Sequence, residues 1–206
     1  IGDLVVGANL ALMGTGADHL NSGNIWLKGA ELRIQNATSF TSNGAIIGNG
    51  IIDSGGIPLS VNGVLMPEVD STLTNTATIT FTGDVNIGPA AVFELDVFGP
   101  GPSLPAFDSI AVSGTANFAA PGNYNLNFLP GHGVASGNTL FSVISAPLIT
   151  GSTGTTTVSH NLGAAYVLSA VPGGTTATDT VDITVTANFE QTFTGGGAPA
   201  SYFQVP

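Results

Sequence analysis

Asn43-Gly44-Ala45-Ile46-Ile47-Gly48-Asn49-Gly50-Ile51-Ile52-Asp53 is the stretch that decides the fold. Two isoleucine pairs each follow a turn made of Gly and Asn. Glycines this dense are incompatible with a helix, where each costs about 1 kcal/mol, while short β-branched runs between Gly/Asn turns read as strands. The same phrase recurs on both sides. Leu4-Val5 follows Gly2-Asp3, Ile25-Trp26 follows Ser22-Gly23-Asn24, Val64-Leu65 follows Asn62-Gly63, Val85 follows Gly83-Asp84, and Ile110 follows Asp108-Ser109. From Leu4 the intervals are 21, 21, 18, 21 and 25 residues. A second apolar set falls within each unit: Leu10 and Leu12, Leu32 and Ile34, Ile51 and Ile52, Ile79 and Phe81, then Phe93, Leu95 and Val97. A unit of about 20 residues is too small to bury a core alone, and stacked units share one. The expectation is an all-β chain over residues 1–98: a right-handed parallel β-solenoid of about 20-residue coils, with Asn or Gly at corners that need positive φ.

Gly99-Pro100-Gly101-Pro102 breaks that rhythm. Longer strands follow at Ile110 to Phe118, Tyr124 to Leu129, Thr139 to Ile144, Tyr166 to Val171 and Thr180 to Thr186, and Val181, Ile183 and Val185 alternate with polar neighbours. They read as hairpin-like, so residues 99–187 are expected to form a C-terminal antiparallel β cap that closes the open edges of the stack. Residues 188–206 form a Gly-hinged tail.

Composition narrows the function classes. Lys28 and Arg33 are the only basic residues, against 13 acidic ones, for a net charge of −11. Phosphate backbones are held by Lys and Arg, so nucleic acid is excluded as a partner, and attraction to anionic lipid goes with it. Only 7% of residues are charged, against roughly 25% in ordinary globular chains. Mean hydropathy is +0.39, yet no apolar run approaches the roughly 18 residues of a membrane helix. With no Cys, disulfides and thiolate metal sites are out of reach. The sequence opens at Ile1 without a basic or apolar leader, which reads as a mature or excerpted chain.

Three stretches bear a family likeness: FDSIAVSGTANF at 107–118, YNLNFL at 124–129 and GNTLFSVI at 137–144. Together with IQNATSF at 34–40 and the repeat at 43–53, they resemble exported bacterial autotransporter-like β-helix proteins, the β-strand-repeat, PEP-CTERM-type extracellular group. The likeness spans roughly residues 25–186. It implies a β-helix, export and an extracellular or cell-surface location. The group includes adhesins and surface-layer or matrix components, and it carries over no catalytic residue.

Enzyme chemistry has few candidates. A polysaccharide lyase needs a cation for uronate carboxylates, which leaves Lys28 and Arg33; Arg33 alternates with Glu31 on one strand face and reads far more simply as an exposed ion pair. Hydrolases need two carboxylates about 5–9 Å apart, and Glu94/Asp96 and Glu68/Asp70 qualify by spacing, as does any solvated strand face. His19, His132 and His160 stand apart, without the helical pairing zinc sites use. Gly48-Asn49-Gly50 and Gly131-His132-Gly133 lack the third glycine of a dinucleotide site. No cofactor is expected; calcium is the one candidate ion, at Glu68 and Asp70 or at Asp179 and Asp182, because oxygen ligands are plentiful.

The functional expectation is a self-assembling structural protein of a surface fibre, sheath or matrix. The alternative is an adhesin that holds glycans on a flat Thr/Asn face, and a polysaccharide-cleaving enzyme stands third. Assembly is expected to run through the tail. Phe189 and Phe193, the hinge Gly195, Gly196 and Gly197, and the terminal Tyr202, Phe203 and Val205 form a strand able to add to its own sheet edge or a neighbour's.

Overall fold

The structure, a computed structural model, describes residues 3–14, 16–68, 76–100, 105–137, 139–151, 158–174 and 178–187. Among them are twenty strands and no helix, hence none long and apolar enough to cross a membrane. The tail residues Phe189 to Val205 and the calcium candidate Asp70 lie outside the described residues.

The strands come in units. The first holds β1 (Leu4–Val6), β2 (Leu10–Met13) and β3 (Asp18–Asn21). The second holds β4 (Asn24–Gln35), which turns a corner at Gly29 (φ 72), and β5 (Ser39–Ser42). β6 (Ala45–Asp53) and β7 (Leu59–Val61) make the third, and β8 (Val64–Met66), β9 (Thr78–Thr82) and β10 (Val85–Ile87) the fourth. In the fifth are β11 (Val92–Pro100), β12 (Pro105–Phe107), β13 (Ser109–Val112) and β14 (Thr115–Phe118). The sixth has β15 (Asn123–Phe128), β16 (Thr139–Ala146) and β17 (Leu148–Gly151); β18 (Val158–His160), β19 (Tyr166–Gly174) and β20 (Asp179–Ala187) end the described chain.

Equivalent strands of successive units pair in parallel along three columns. Column one runs through β1, β4, β6, β8, β11, β15 and β18. Column two runs through β2, the second halves of β4 and β6, β9, β13 and β16. Column three, a six-stranded sheet, runs from β3 through β5, β7, β10 and β14 to β17. Because β4 and β6 turn the corner unbroken, columns one and two form a single fourteen-stranded sheet. That sheet is mixed, since β20 adds antiparallel to β16 and β19 antiparallel to β20.

Alternation sends one side chain in two into a shared core. Ile25, Ile46, Leu65, Phe93 and Tyr124 follow one another inward in column one, all buried, and Leu32, Ile52, Phe81 and Val112 do the same in column two. Each large side chain so buried contributes about 2 kcal/mol. Phe93 lies between the rings of Tyr124, stacked at 5.0 Å, and Phe118 at 6.1 Å.

The phase differs from the sequence reading in three places. Val85 belongs to column three and Ile110 to column two; Phe93 and Tyr124 continue the line of Leu4, Ile25, Ile46 and Leu65. Of the pair Ile51 and Ile52, only Ile52 is inward, and Ile51 is exposed beside Glu31 and Thr80. Nor does parallel stacking stop near residue 98. It continues to His160, and among the described residues antiparallel pairing is confined to the β11–β12 hairpin and the β16–β20–β19 layer.

One cause underlies the first and third differences. Bonded partners one unit apart are separated by 21 residues at Asp3 and Asn24 but by 34 at Asn127 and Asn161. Most of the added residues enter at the corner between columns one and two, at 67–77, 98–108 and 129–138. Lengthening a corner loop costs little, because closure entropy grows only logarithmically, and the strands keep their register.

Candidate functional site

Two clusters of charged side chains stand on the outer faces, and a third carboxylate is buried beneath one of them. The first cluster is centred on Arg33. Alternation along β4 puts Glu31 and Arg33 on the outer face, and parallel pairing sets Asp53 of β6 beside Arg33. Arg33 Nη2 meets Glu31 Oε1 at 2.7 Å, and Nε donates to Asp53 Oδ2 at 2.8 Å. The Gly55 amide, at 2.9 Å, and then Arg33 hold the Asp53 carboxyl below its ordinary range. The depression in front is lined by Asn9, Leu10, Ala11 and Gln35 besides the ion pair. With its guanidinium held by two carboxylates, Arg33 is a poor anchor for a uronate.

The second cluster is acidic. Glu68, Glu94 and Asp96 line a depression with Met66, Pro67, Asn125 and Asn127. Asn127 Nδ2 donates to Asp96 Oδ1 at 2.9 Å, and Asn161 Nδ2 donates to Asn127 Oδ1 at 2.9 Å, so an amide ladder climbs away from the acids.

Beneath the acids sits Asp108, 1% exposed, which sequence reasoning passed over. Its Oδ1 accepts the Ala77 amide at 2.7 Å and its Oδ2 the Asp96 amide at 3.1 Å. Its carboxyl is pushed up to about 7: burial is the largest cause, the two amides pull against it, and the charges of Asp96 and Glu68 add to the rise. The signal was present in the sequence: Asp108 shares the inward phase of Ile110 and Val112 two and four residues on.

Of the expected calcium ligands, Glu68, Asp179 and Asp182 lie among the described residues. Glu68 lies in the acidic depression. Asp179 Oδ2 accepts the Ile149 amide at 2.9 Å, whereas Asp182 Oδ1 accepts the Ser142 amide at 2.7 Å and the Thr180 hydroxyl at 2.9 Å. They thus join the antiparallel layer to β17 and β16. Among the described residues no group of three or more His, Asp or Glu could hold a metal ion. His132 and His160 each accept a backbone amide two residues on through Nδ1, while the buried Nε2 of His19 has no hydrogen-bond partner among the described residues.

Comparison of the chain with family models, curated proteins and solved structures finds no match.

Proposed function

We propose that this chain is an extracellular structural protein, a self-assembling subunit of a cell-surface fibre, sheath or matrix, built as a right-handed parallel β-solenoid with an antiparallel layer near its C-terminal end. The observation that carries this reading is where its exposed apolar side chains lie. Among the described residues the exposed large ones are Val5, Leu10, Met13 and Leu20 in the first unit, Leu148 and Val167 at the other end, and only Ile51 between. Met13 is 67% exposed and Leu20 60%.

In the first unit these side chains accompany strand edges that no other described strand pairs. Among the described residues β1 and β2 pair with β4 alone, and β3 with β5 alone. Free edges are normally protected by Lys, Pro or a bulge, yet residues 3–21 contain no Lys, Arg or Pro. An unprotected apolar edge is what a contact with another chain uses. Negative-stain microscopy and light scattering of the protein test the reading: filaments or oligomers are expected, dispersed by the double substitution Met13→Lys/Leu20→Lys. A monomer at high micromolar concentration, unaltered by that substitution, overturns it.

A second reading, a glycan-binding adhesin, draws on the outer line of column three. Thr41, Ser60, Asn86, Asn117 and Thr150 succeed one another there, with Asn117 Nδ2 donating to Asn86 Oδ1 at 3.2 Å and Thr150 Oγ1 to Asn117 Oδ1 at 3.0 Å. Glycan-array binding by a monomeric species would favour it over assembly.

A further inference from the structure

We propose that Asp108 is a pH-operated latch joining β9, β11 and β13 at the corner between columns one and two, held shut in acid and loosened as the pH rises to neutral. Three hydrogen bonds make it a latch. Besides the Ala77 and Asp96 amides its two carboxyl oxygens accept, its own amide donates to the Asp96 carbonyl at 2.9 Å, a bond that does not depend on the side chain's proton. Ala77 stands just before β9, Asp108 just before β13, and Asp96 lies in β11 next to its pairing with β12. One side chain thus ties β11, β13 and the preceding unit's β9 together.

Apart from those amides, the surroundings of Asp108 oppose an anion. Asp108 is almost fully buried, and the charged groups acting on it are Asp96, from β11, and Glu68, from the segment after β8, both acidic. The chain's two cations, Lys28 and Arg33, belong to β4 in the second unit. Two amides favour the carboxylate, whereas burial and two like charges favour the acid, and the balance lies on the acid side at about 7 against an ordinary 3.8.

The sign follows from linkage. When the corner opens, Asp108 regains its ordinary acidity, so between about pH 4 and 7 the closed form holds a proton that the open form releases. Closed-state stability is therefore complete below about pH 4, falls across that window, and changes no further above about 7. The opening constant rises about tenfold per pH unit within the window.

Carboxyl-carbon NMR titration of the full chain, with amide exchange at Ala77 and Asp96 corrected for intrinsic base catalysis, tests this. Asp108 is expected to titrate at about 7, with the opening constant rising about 100-fold from pH 5 to 7 and remaining level to pH 9. Asp96→Asn should lower the Asp108 midpoint, and Asp108→Asn should remove the pH dependence. If the latter variant fails to fold, the wild-type titration and Asp96→Asn decide the matter. A midpoint near 4, or opening constants at Ala77 and Asp96 that are flat from pH 5 to 7, overturns the latch.

Discussion

Gly44 stands where the third unit crosses over the second, and its backbone lies so close to the Gly23 carbonyl that a Cβ there would overlap the oxygen. Gly63 repeats the contact one unit on, against the Gly44 carbonyl. These glycines are required by close approach; freedom of φ is not the reason, because the overlap is with the backbone of the turn below, whose Gly23 carbonyl is held by the Ala45 amide and cannot move without breaking that bond. Gly44→Ala should therefore destabilise the protein by about 3 kcal/mol, as overpacking against an immovable neighbour does; the urea midpoint of purified protein checks this. Gly16→Ala meets open space but adopts a positive φ of 72°, so it should cost only about 1 kcal/mol. At this scale the sequence was partly legible. The Asn/Gly corners announced themselves by composition, and the Glu31–Arg33 pair by alternation. Asp108 was passed over for a different reason: an Asp beside a Ser in a turn phrase reads as a surface residue until its strand phase is counted.

At the scale of the element, the strands were more legible than their order. Short apolar pairs after Gly/Asn turns are strands whatever surrounds them, and the lines Leu4, Ile25, Ile46 and Leu32, Ile52, Phe81 could be traced while the units kept near 20 residues. Val85 was then assigned to the wrong column. Every corner turn looks alike in sequence, and nothing local says which of three columns a pair enters once a unit has grown by ten residues. The hairpin-like impression after residue 98 has the same origin: longer loops were read as changes of architecture, but β13 to β18 keep the parallel ladder. Corner loops and strand turns should accordingly differ in tolerance. Four Gly/Ser residues inserted after the exposed Pro130, in the 129–138 corner, should cost less than about 1 kcal/mol. The same insertion after Gly44 breaks the turn that sets the register of Ala45 to Ile47 on Asn24 to Trp26, where a slip moves inward side chains to the outside. Thermal unfolding of the two variants compares them: a lower midpoint for the corner insertion than for the turn insertion would mean the loop is not where length is absorbed.

Among the described residues the stack has two unlike ends. At the first unit β1, β2 and β3 are each paired on one side, whereas at the other end columns one and three run as far as β18 and β17 while β20 and β19 carry column two further. A strand-poor, apolar edge opposite an extended layer suits a head-to-tail contact, and a head-to-tail contact that does not close into a ring propagates as a filament. The proposed donor is the tail, with Tyr202, Phe203 and Val205 beyond the Gly195–Gly197 hinge, residues outside those the structure describes. An added strand would satisfy main-chain groups on β1, β2 or β3 and cover Leu20 or Met13. Donation and plain edge-to-edge contact then separate cleanly. Deleting residues 195–206 should leave a folded β protein, judged by an unchanged far-UV spectrum, that sediments as a monomer, while Met13→Lys/Leu20→Lys should abolish assembly with the tail in place. A truncated chain that still forms filaments would mean that the first unit meets its neighbour without the tail.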